Sequence, residues 1–264
     1  KYNLLYKAFN WDIPKYLHCP PVMKDSTQKL SKRNGDASYQ DLIKKGYLTE
    51  AILNYIALLG WSPKGEEENT EIMSLDDMCR LFSIHDVSKS PAIFDVVKLN
   101  YINAEYLRRM SPEEFLQVSL PWIKQAVKRE DIDFLVLSQA LQPRCEYLSD
   151  IPPQLDFIDE LPQYDLELYT SKKMKTNPQV ALDSLKKIKP VLESLENFKA
   201  ETIHEALFKL IADLEVKNGI ILWPLRVAVS GKQFTPGGGI ELADILGKAE
   251  TLKRIDIAIE LLSK

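Results

Sequence analysis

The chain has 264 residues, of which 45% are hydrophobic and 27% are charged, and its formal net charge at pH 7 is −4. This length predicts about two domains with a short third piece, because one small core does not organise a chain of this size. The net negative charge excludes a strongly basic protein that binds nucleic acid irrespective of sequence, but it allows RNA binding through local basic patches. No apolar run approaches the ~20 residues that span a bilayer, and the N-terminal residues lack a signal-peptide pattern, so no membrane partner is expected.

Three cysteines, Cys19, Cys79 and Cys145, lie far apart in the sequence and form no Cys-x-x-Cys pair. We therefore predict neither a zinc site nor a disulfide framework, and no metal-binding residue is assigned. This cysteine content fits the reducing cytoplasm. The first residue is Lys1 rather than methionine and lies in a segment with a helical pattern, so we expect the chain to be a piece of a longer protein.

In chain order, residues 1–37 are mixed and interrupted by prolines, with short strands expected at Tyr16–His18 and Val22–Met23. After Gly35 a helical period takes over. A helix that ends at Gly60 is predicted from apolar residues recurring on one face: Leu48, Ile52, Tyr55 and Leu59. Four glutamates between Gly65 and Glu71 indicate a solvated loop.

Farther along, helix starts are predicted where capping residues precede apolar residues at helical spacing: Ser74 with Asp77, Ser90 before Pro91, Ser111-Pro112 with Glu114, Asn177 before Pro178, and Thr202 with Glu205. Pro190 is expected to kink or break the helix that begins after Asn177. Ile220–Leu222 and Val227–Val229 have a composition typical of strands, but they are short. The fold class is therefore predicted as mainly α, with a weak boundary at Ile151-Pro152-Pro153.

The segment Lys29-Leu30-Ser31-Lys32-Arg33 carries the clearest chemical signal. Two lysines three residues apart, on a loop between a proline and a glycine, can grip a polyphosphate, because a compact ammonium neutralises charge that develops on phosphate oxygens. Taken alone, such a pentapeptide is more often an ordinary solvated basic loop.

This pentapeptide lies within longer motifs that cover most of the chain. Residues 10–63 resemble glutamyl-tRNA synthetases, which are class I enzymes, and Lys29–Arg33 is similar to their KMSKS signature loop. The resemblance continues through Val87–Asp95 and Lys98–Asn103 and returns at Pro224–Gly231.

The resemblance implies three regions along the chain. Residues 1–62 would be the end of a catalytic domain and the start of a stem-contact region, a small α+β segment. Residues 63–150 would be the stem-contact region and the first part of an all-helical anticodon-binding domain, a helical cage. Residues 151–264 would be its second helical part.

The resemblance also implies an ATP site at the signature loop. Lys29 and Lys32 would contact the ATP phosphates, and Lys32 would act catalytically by stabilising charge as pyrophosphate leaves. The other ATP-binding positions implied are Leu30, Ser31 and Arg33 in the loop, and the backbone of Val22 and Met23 facing the adenine ring. ATP with Mg²⁺ is implied for the intact enzyme only.

The histidines of the chain argue that half of the active site is missing. His18, His85 and His204 are followed by Cys, Asp and Glu, so none belongs to the His-x-Gly-His motif that class I synthetases need. Each is assigned a structural or surface role. We therefore expect this chain to bind tRNA without aminoacylating it, and to require no cofactor for binding.

For anticodon recognition the resemblance points to Arg226 and to the turn Thr235-Pro236-Gly237-Gly238, with Pro236 and Gly238 as contacts. An arginine fork can bond or stack on a splayed base, and a Pro-Gly turn offers backbone groups and an apolar face. The three glycines at 237–239 depart from the family, where a bulkier apolar residue often follows, so Ile240 is an alternative to Gly238. Arg144 is a second candidate, with a helix-surface arginine as the alternative.

The implied partners are tRNA(Glu), ATP and glutamate, with no DNA and with a monomeric chain. A non-discriminating enzyme that also charges tRNA(Gln) is one alternative. A non-catalytic helical RNA-binding protein is another alternative. The intact pair Lys29 and Lys32 argues against it, because such a protein does not need a phosphate-binding loop. Two lysine clusters are either phosphate contacts or ordinary solvated faces: Lys172, Lys173 and Lys175, and Lys186, Lys187 and Lys189. Trp61 and Trp223 are assigned to the core.

Overall fold

The computed structural model of the chain describes residues 2–31, 38–64 and 70–264. These residues contain thirteen α-helices, and their β-structure consists of isolated bridges. The prediction of a mainly α fold is confirmed. The chain divides into two compact units, Lys1–Asn103 and Ala104–Lys264. The predicted boundaries after residues 62 and 150 fall inside these units and stay predictions.

Five α-helices begin within the described residues of the first unit, and two of them start at capping boxes. Ser38 and Asp41 cap one of these helices, and Ser74 and Asp77 cap another, as predicted for Ser74. In both boxes the serine hydroxyl accepts from the third amide of the helix, and the aspartate accepts from the serine amide. The helices are α1 (Tyr2–Ala8), α2 (Tyr39–Lys44), α3 (Thr49–Gly60), α4 (Leu75–Leu81) and α5 (Val96–Arg109), the last of which contains the division between the units.

The predicted helix start at Ser90-Pro91 is wrong. Helix α5 begins five residues later, where Asp95 Oδ1 accepts from the amides of Val97 and Lys98 at 2.8 and 3.2 Å. Residues 92–94 are instead engaged in backbone hydrogen bonds with Met23, which hold them out of a helix. The expected strand at Tyr16–His18 is also absent, and Met23 takes part only in isolated bridges.

The core of the first unit is built on the buried face of α3. Ile52 and Tyr55 are buried as predicted, and Asn54 accepts a hydrogen bond from the Met73 amide at 2.9 Å. Trp61, Met73 and Met78 form an apolar cluster beyond the end of this helix, so the assignment of Trp61 to the core is confirmed. Most of the predicted solvated loop, residues 65–69, lies outside the described residues.

The second unit contains eight further helices. Ser111-Pro112 with Glu114 and Asn177-Pro178 start helices as predicted, with proline at a position where its missing amide costs nothing. The helices are α6 (Pro112–Ala126), α7 (Phe134–Leu141), α8 (Ile151–Gln154), α9 (Pro178–Glu193), α10 (Ala200–Asp213), α11 (Asn218–Ser230), α12 (Gly239–Leu246) and α13 (Lys248–Leu262).

Two local expectations for this unit need correction. Helix α9 runs past Pro190 to Glu193, so the break expected at Pro190 is wrong, whereas the kink stays a prediction; the amide of Ser194 donates to the Pro190 carbonyl at 3.2 Å. Helix α10 starts at Ala200, so Thr202 is not its N-cap; the Thr202 hydroxyl instead accepts from the Lys199 amide. The two segments with strand-like composition, Ile220–Leu222 and Val227–Val229, both lie inside α11, much of which is buried. Tertiary burial of their apolar side chains stabilises the helix and outweighs the strand preference of their β-branched residues.

One buried arginine ties the helices of the second unit together. Arg254 on α13 is fully buried and is paired with Glu250 one turn earlier, at 2.8 Å. Its remaining donors reach the carbonyls of Phe157, Val229 and Ile158 at 2.7 to 3.0 Å. Burial lowers the pKa of Arg254, and Glu250 opposes that shift. This side chain therefore links α13 to the C-terminal turn of α11.

Candidate functional site

The predicted phosphate loop begins as a tight backbone hairpin. Val22 accepts from the Leu30 amide at 3.0 Å, and the Lys24 amide donates to the Gln28 carbonyl at 2.8 Å, with Met23 bridged to Lys29. The structure thus brings together Val22, Met23, Lys29 and Leu30, four of the seven predicted ATP-binding positions.

Asp25 closes the turn of this hairpin. One of its carboxylate oxygens accepts from the amide and the hydroxyl of Thr27, both at 2.8 Å, and from the Gln28 amide at 2.9 Å. These bonds to the charged form lower the pKa of Asp25. The arrangement fixes the hairpin one residue before Lys29, whose side chain is exposed.

The hairpin is anchored on its other side by residues 92–94, which a tyrosine of α3 holds in turn. The Met23 amide donates to the Ala92 carbonyl, and the Met23 carbonyl accepts from the Phe94 amide, each at 2.8 Å. Tyr55 on α3 holds this segment, since its hydroxyl accepts from the Asp95 amide at 2.6 Å and its ring packs edge-on against Phe94. Burial raises the pKa of Tyr55 to about 12, so it stays a neutral hydroxyl.

The remaining loop positions are only partly described. Ser31 is half-buried at the end of the hairpin. Lys32 and Arg33 lie outside the described residues, so the structure does not place the predicted catalytic lysine.

The second group of predicted residues gathers around α11. Arg226 is half-buried on this helix, and its guanidinium carbon lies 5.8 Å from the centre of the Trp223 ring. Burial is the main cause that lowers the pKa of Arg226, followed by the nearby charge of Arg144, while Glu241 acts in the opposite direction. Within the described part of the chain the Arg226 guanidinium has no ion pair, unlike the buried Arg254.

The Thr235–Gly238 turn lies beside Arg226 and is internally braced. The Thr235 hydroxyl donates to the Gly237 carbonyl at 2.5 Å, and the Arg144 guanidinium donates to the Thr235 carbonyl. Thr235 and Pro236 are buried, so the proline ring is not the accessible apolar surface of this turn. Arg144, predicted from a separate motif, therefore joins Arg226 and the turn in one region.

The glycines of the turn allow close approach between α12 and α11. A Cβ atom at Gly239 would lie 3.0 Å from the Arg226 amide nitrogen and 3.1 Å from the Leu222 carbonyl oxygen. At Gly238 it would lie 2.7 Å from a carboxylate oxygen of Glu241 and 3.7 Å from Nη2 of Arg226. The run of three glycines thus brings backbone groups to the arginine. Ile240, the alternative contact, is buried.

A cavity of about 430 Å³ opens in front of Arg226. Its wall includes a stacked pair that the sequence analysis did not assign to the site, His204 and Phe208, whose ring centres are 3.9 Å apart. Trp223, confirmed as a core residue, donates from its ring nitrogen to the Leu168 carbonyl at 3.0 Å. The lining residues are Met174, His204, Phe208, Asn218, Gly219, Leu222, Trp223, Arg226, Gly238, Gly239, Ile240 and Glu241.

The described ranges contain neither a metal-binding cluster nor a membrane-spanning helix. No group of three or more His, Cys, Asp or Glu side chains there is arranged to hold a metal ion. None of the helices in those ranges combines the length and apolar character that a membrane crossing requires.

Comparison with known families accounts for both parts of the chain. Residues 1–101 match the model of the catalytic domain of class I tRNA synthetases (E and Q), and residues 100–259 match the anticodon binding domain. A glutamate–tRNA ligase from Clostridium acetobutylicum is 55% identical over 264 residues, and one from Clostridium tetani is 59% identical over 262. The chain belongs to the glutamate–tRNA ligase family.

Solved structures of the family agree with this assignment. A glutamate tRNA ligase from Elizabethkingia meningosepticum, crystallised in complex with its amino acid, matches with a TM-score of 0.81 and 30% identity, covering 98% of this chain and 54% of that one. A glutamate–tRNA synthetase from Elizabethkingia anophelis matches with a TM-score of 0.80 and 29% identity, covering 97% and 53%. The two Clostridium ligases are covered to 54% and 53%, so the chain spans about half the length of its glutamate–tRNA ligase relatives.

Proposed function

We propose that this chain is the part of a glutamate–tRNA ligase that recognises the anticodon of tRNA(Glu), and that it also carries one ATP-binding loop. The observation that carries the proposal is the half-buried guanidinium of Arg226, which faces a 430 Å³ cavity without an ion pair to any described residue. Burial of a charge is unfavourable unless a partner satisfies it, so a site of this kind is suited to a ligand that supplies acceptors.

The chemistry of an unpaired RNA base fits this site. A guanidinium offers a planar fork of donors that matches paired acceptors on a base edge, and its face stacks on aromatic rings. The backbone groups of the Thr235–Gly238 turn and the carboxylate of Glu241 supply further acceptors and donors beside it. Single-stranded loops present their bases in this splayed form, as an anticodon does.

In the whole protein, the ATP loop would serve the activation step. Glutamate and ATP would form an acyl adenylate and pyrophosphate, and the glutamyl group would then pass to the 3′ end of the tRNA with release of AMP. Lys29 and Lys32 would neutralise charge on the phosphates as pyrophosphate leaves. The hairpin around Asp25 and the anchor at Tyr55 would position Lys29 for this task. Mg²⁺ would accompany the ATP, and the protein would act in the cytoplasm as a monomer.

The chain itself would bind tRNA but not aminoacylate it. The first test measures its affinity for tRNA(Glu) and for versions with anticodon substitutions, across a salt series. The preference for the native anticodon should persist at every salt concentration, because base contacts are added to the phosphate term. Equal affinity for every anticodon would contradict the proposal. If the chain alone catalysed ATP–pyrophosphate exchange, the expectation that it lacks part of the active site would be wrong.

The matched variants are Arg226→Ala and Arg226→Lys. Arg226→Ala should weaken binding of the native anticodon by ~1–3 kcal/mol and leave the substituted anticodons nearly unaffected. Arg226→Lys keeps the charge but not the fork, so it should lose the base preference while the salt dependence stays. A parallel titration with tRNA(Gln) distinguishes the non-discriminating alternative, in which both tRNAs bind equally well.

A further inference from the structure

Phe234 is the most exposed large apolar side chain of the second unit. It is 82% exposed, and the only other exposed large hydrophobic residue between Ala104 and Lys264, all of which are described, is Ile257 at 37%. Isolated apolar residues at a surface are common, so exposure alone does not indicate a function. The position of Phe234 next to the Thr235–Gly238 turn, and the hydrogen bonds that hold its neighbouring residues, are what indicate a function.

The backbone on both sides of Phe234 is held in place. On one side, the Lys232 amide donates to the Ser230 hydroxyl at 3.1 Å, and the Lys232 side chain is paired with Asp156. On the other side, the Thr235 carbonyl accepts from Arg144 and the Thr235 hydroxyl bonds to Gly237. The exposed ring therefore projects from a braced turn, and binding to its face requires little ordering of the protein.

The surroundings of the ring suit a nucleobase better than an apolar protein surface. An apolar partner would need a contiguous patch, but the residue next to Phe234 is bonded to the exposed Arg144, and Arg226 lies close to both arginine and turn. An exposed ring on the residue before a carbonyl that Arg144 holds, with Arg226 near that arginine, matches a base attached to a phosphate backbone, since every base has a π-face and every nucleotide has a negative charge.

We infer that Phe234 is a stacking platform for an unpaired base of the tRNA anticodon loop, a role that rests on the proposed recognition of the anticodon at Arg226. Stacking does not depend on the hydrogen-bonding edge of the base. Phe234 would therefore raise affinity for every anticodon equally, whereas Arg226 would distinguish between them.

The test compares four variants of the full chain for affinity to tRNA(Glu): F234A, F234L, F234Y and F234W. F234A and F234L should each weaken binding roughly five- to a hundredfold, the range measured when a base-stacking ring is removed. F234Y and F234W should stay within about threefold of the parent, because they keep a ring. The loss in F234A should be the same for substituted anticodons, and the salt slope should not change, because no charge is removed.

A fluorescent base identifies the stacked nucleotide directly. The unpaired positions of the anticodon loop are replaced in turn by 2-aminopurine, whose emission responds to stacking. One position should change its emission on binding to the parent chain and to F234Y, but not on binding to F234L.

Three results would overturn the inference. The first is an unchanged affinity of F234A. The second is an unchanged affinity of F234L, because leucine would then replace the ring through ordinary apolar contact without stacking. The third is a concentration-dependent dimer that F234A abolishes in sedimentation experiments, because a second copy would then cover the ring. If R226A shows its anticodon-dependent loss while F234A is unchanged, only this inference fails; if neither variant matters, the proposed function fails as well.

Discussion

The guanidinium of Arg144 donates a hydrogen bond to the backbone carbonyl of Thr235, 91 residues farther along the chain. This bond joins a short 3-10 turn, Gln142–Arg144, to the loop that precedes α12. It also places the positive charge of Arg144 near enough to Arg226 to lower the pKa of the latter. The two arginines and the turn therefore act as one structural unit.

Replacing Arg144 tests this unit. Arg144→Ala removes a charge-assisted hydrogen bond, which is worth about 1.5–3 kcal/mol, and should loosen the turn and weaken tRNA binding by about 1–2 kcal/mol. Arg144→Lys keeps the charge with a single donor and should lose less. Hydrogen exchange of the Gly237 and Gly238 amides reports the loosening, and unchanged exchange in Arg144→Ala would contradict the bracing role.

Gly239 and Gly60 should respond oppositely to alanine. Gly239→Ala brings a methyl group to about 3 Å from backbone atoms of α11, so α12 must shift, and stability should fall by about 1–3 kcal/mol. At Gly60, at the end of α3, nothing lies within 4 Å of the added carbon. Gly60→Ala should therefore be neutral or stabilise by up to about 1 kcal/mol. Thermal unfolding of both variants checks the difference in sign.

Arg254 is expected to be the most sensitive charged residue of the second unit. Arg254→Ala removes the arginine donor of three buried backbone carbonyls and one of the two basic partners of Glu250, so the free energy of unfolding should fall by about 3–5 kcal/mol. Lys253→Ala, its exposed neighbour, removes a pair with the same glutamate and should cost less than about 1 kcal/mol. Denaturant titration of the two variants would contradict this view if their losses were similar.

The cysteines should differ in reactivity according to burial. Cys19 and Cys79 are exposed, whereas burial raises the pKa of Cys145 to about 12. At pH 8 roughly one Cys145 thiol in ten thousand is ionised, and the thiolate is the reactive form. A thiol reagent should therefore label two cysteines quickly and the third only after unfolding. Cys145→Ala should reduce the count in denaturant from three to two and leave the native count unchanged.

The two lysine clusters should contribute unequally to tRNA binding. Lys172, Lys173 and Lys175 are exposed and flank Met174, which lines the cavity in front of Arg226. Their triple replacement by alanine should weaken binding for all anticodons and reduce the salt slope by about 2, since each phosphate contact on a single strand contributes ~0.7. In the other cluster Lys189 is already paired with Asp256 at 2.6 Å. Replacing Lys186 and Lys187 is the matched control and should change the slope by less than 1.

Local patterns predicted the helices well where the cap and the apolar face agree, as at Ser74, Ser111 and Asn177. They failed at Ser90, because the pairing of residues 92–94 with Met23 is a tertiary interaction that no cap signal reveals. The candidates Arg144 and Arg226 came from the family resemblance; the structure places them near each other, and their role in anticodon binding stays a prediction.

Other important residues, of the core as well as of the candidate site, could not be recognised from the sequence for identifiable reasons. Arg254 follows Glu250 at the spacing of a surface ion pair, so its burial depends on carbonyls that only the fold brings to it. Phe234, an apolar residue before a buried threonine and proline, would ordinarily be assigned to the core. His204 and Phe208 were one helical turn apart on α10, with no signal that α11 and α12 would complete a cavity beside them.

The anchoring of Met23 by Ala92 and Phe94 has a consequence for the order of folding. The contact closes a loop of about 70 residues, and such closure is entropically unfavourable until the intervening elements have formed. During synthesis the residues ahead of Lys29 emerge first, but their anchor does not exist until residue 94 has left the ribosome and α3 presents Tyr55 to Asp95. The hairpin is thus made before its anchor and fixed only after it, and a ribosome stalled before residue 92 would carry the hairpin without a fixed geometry.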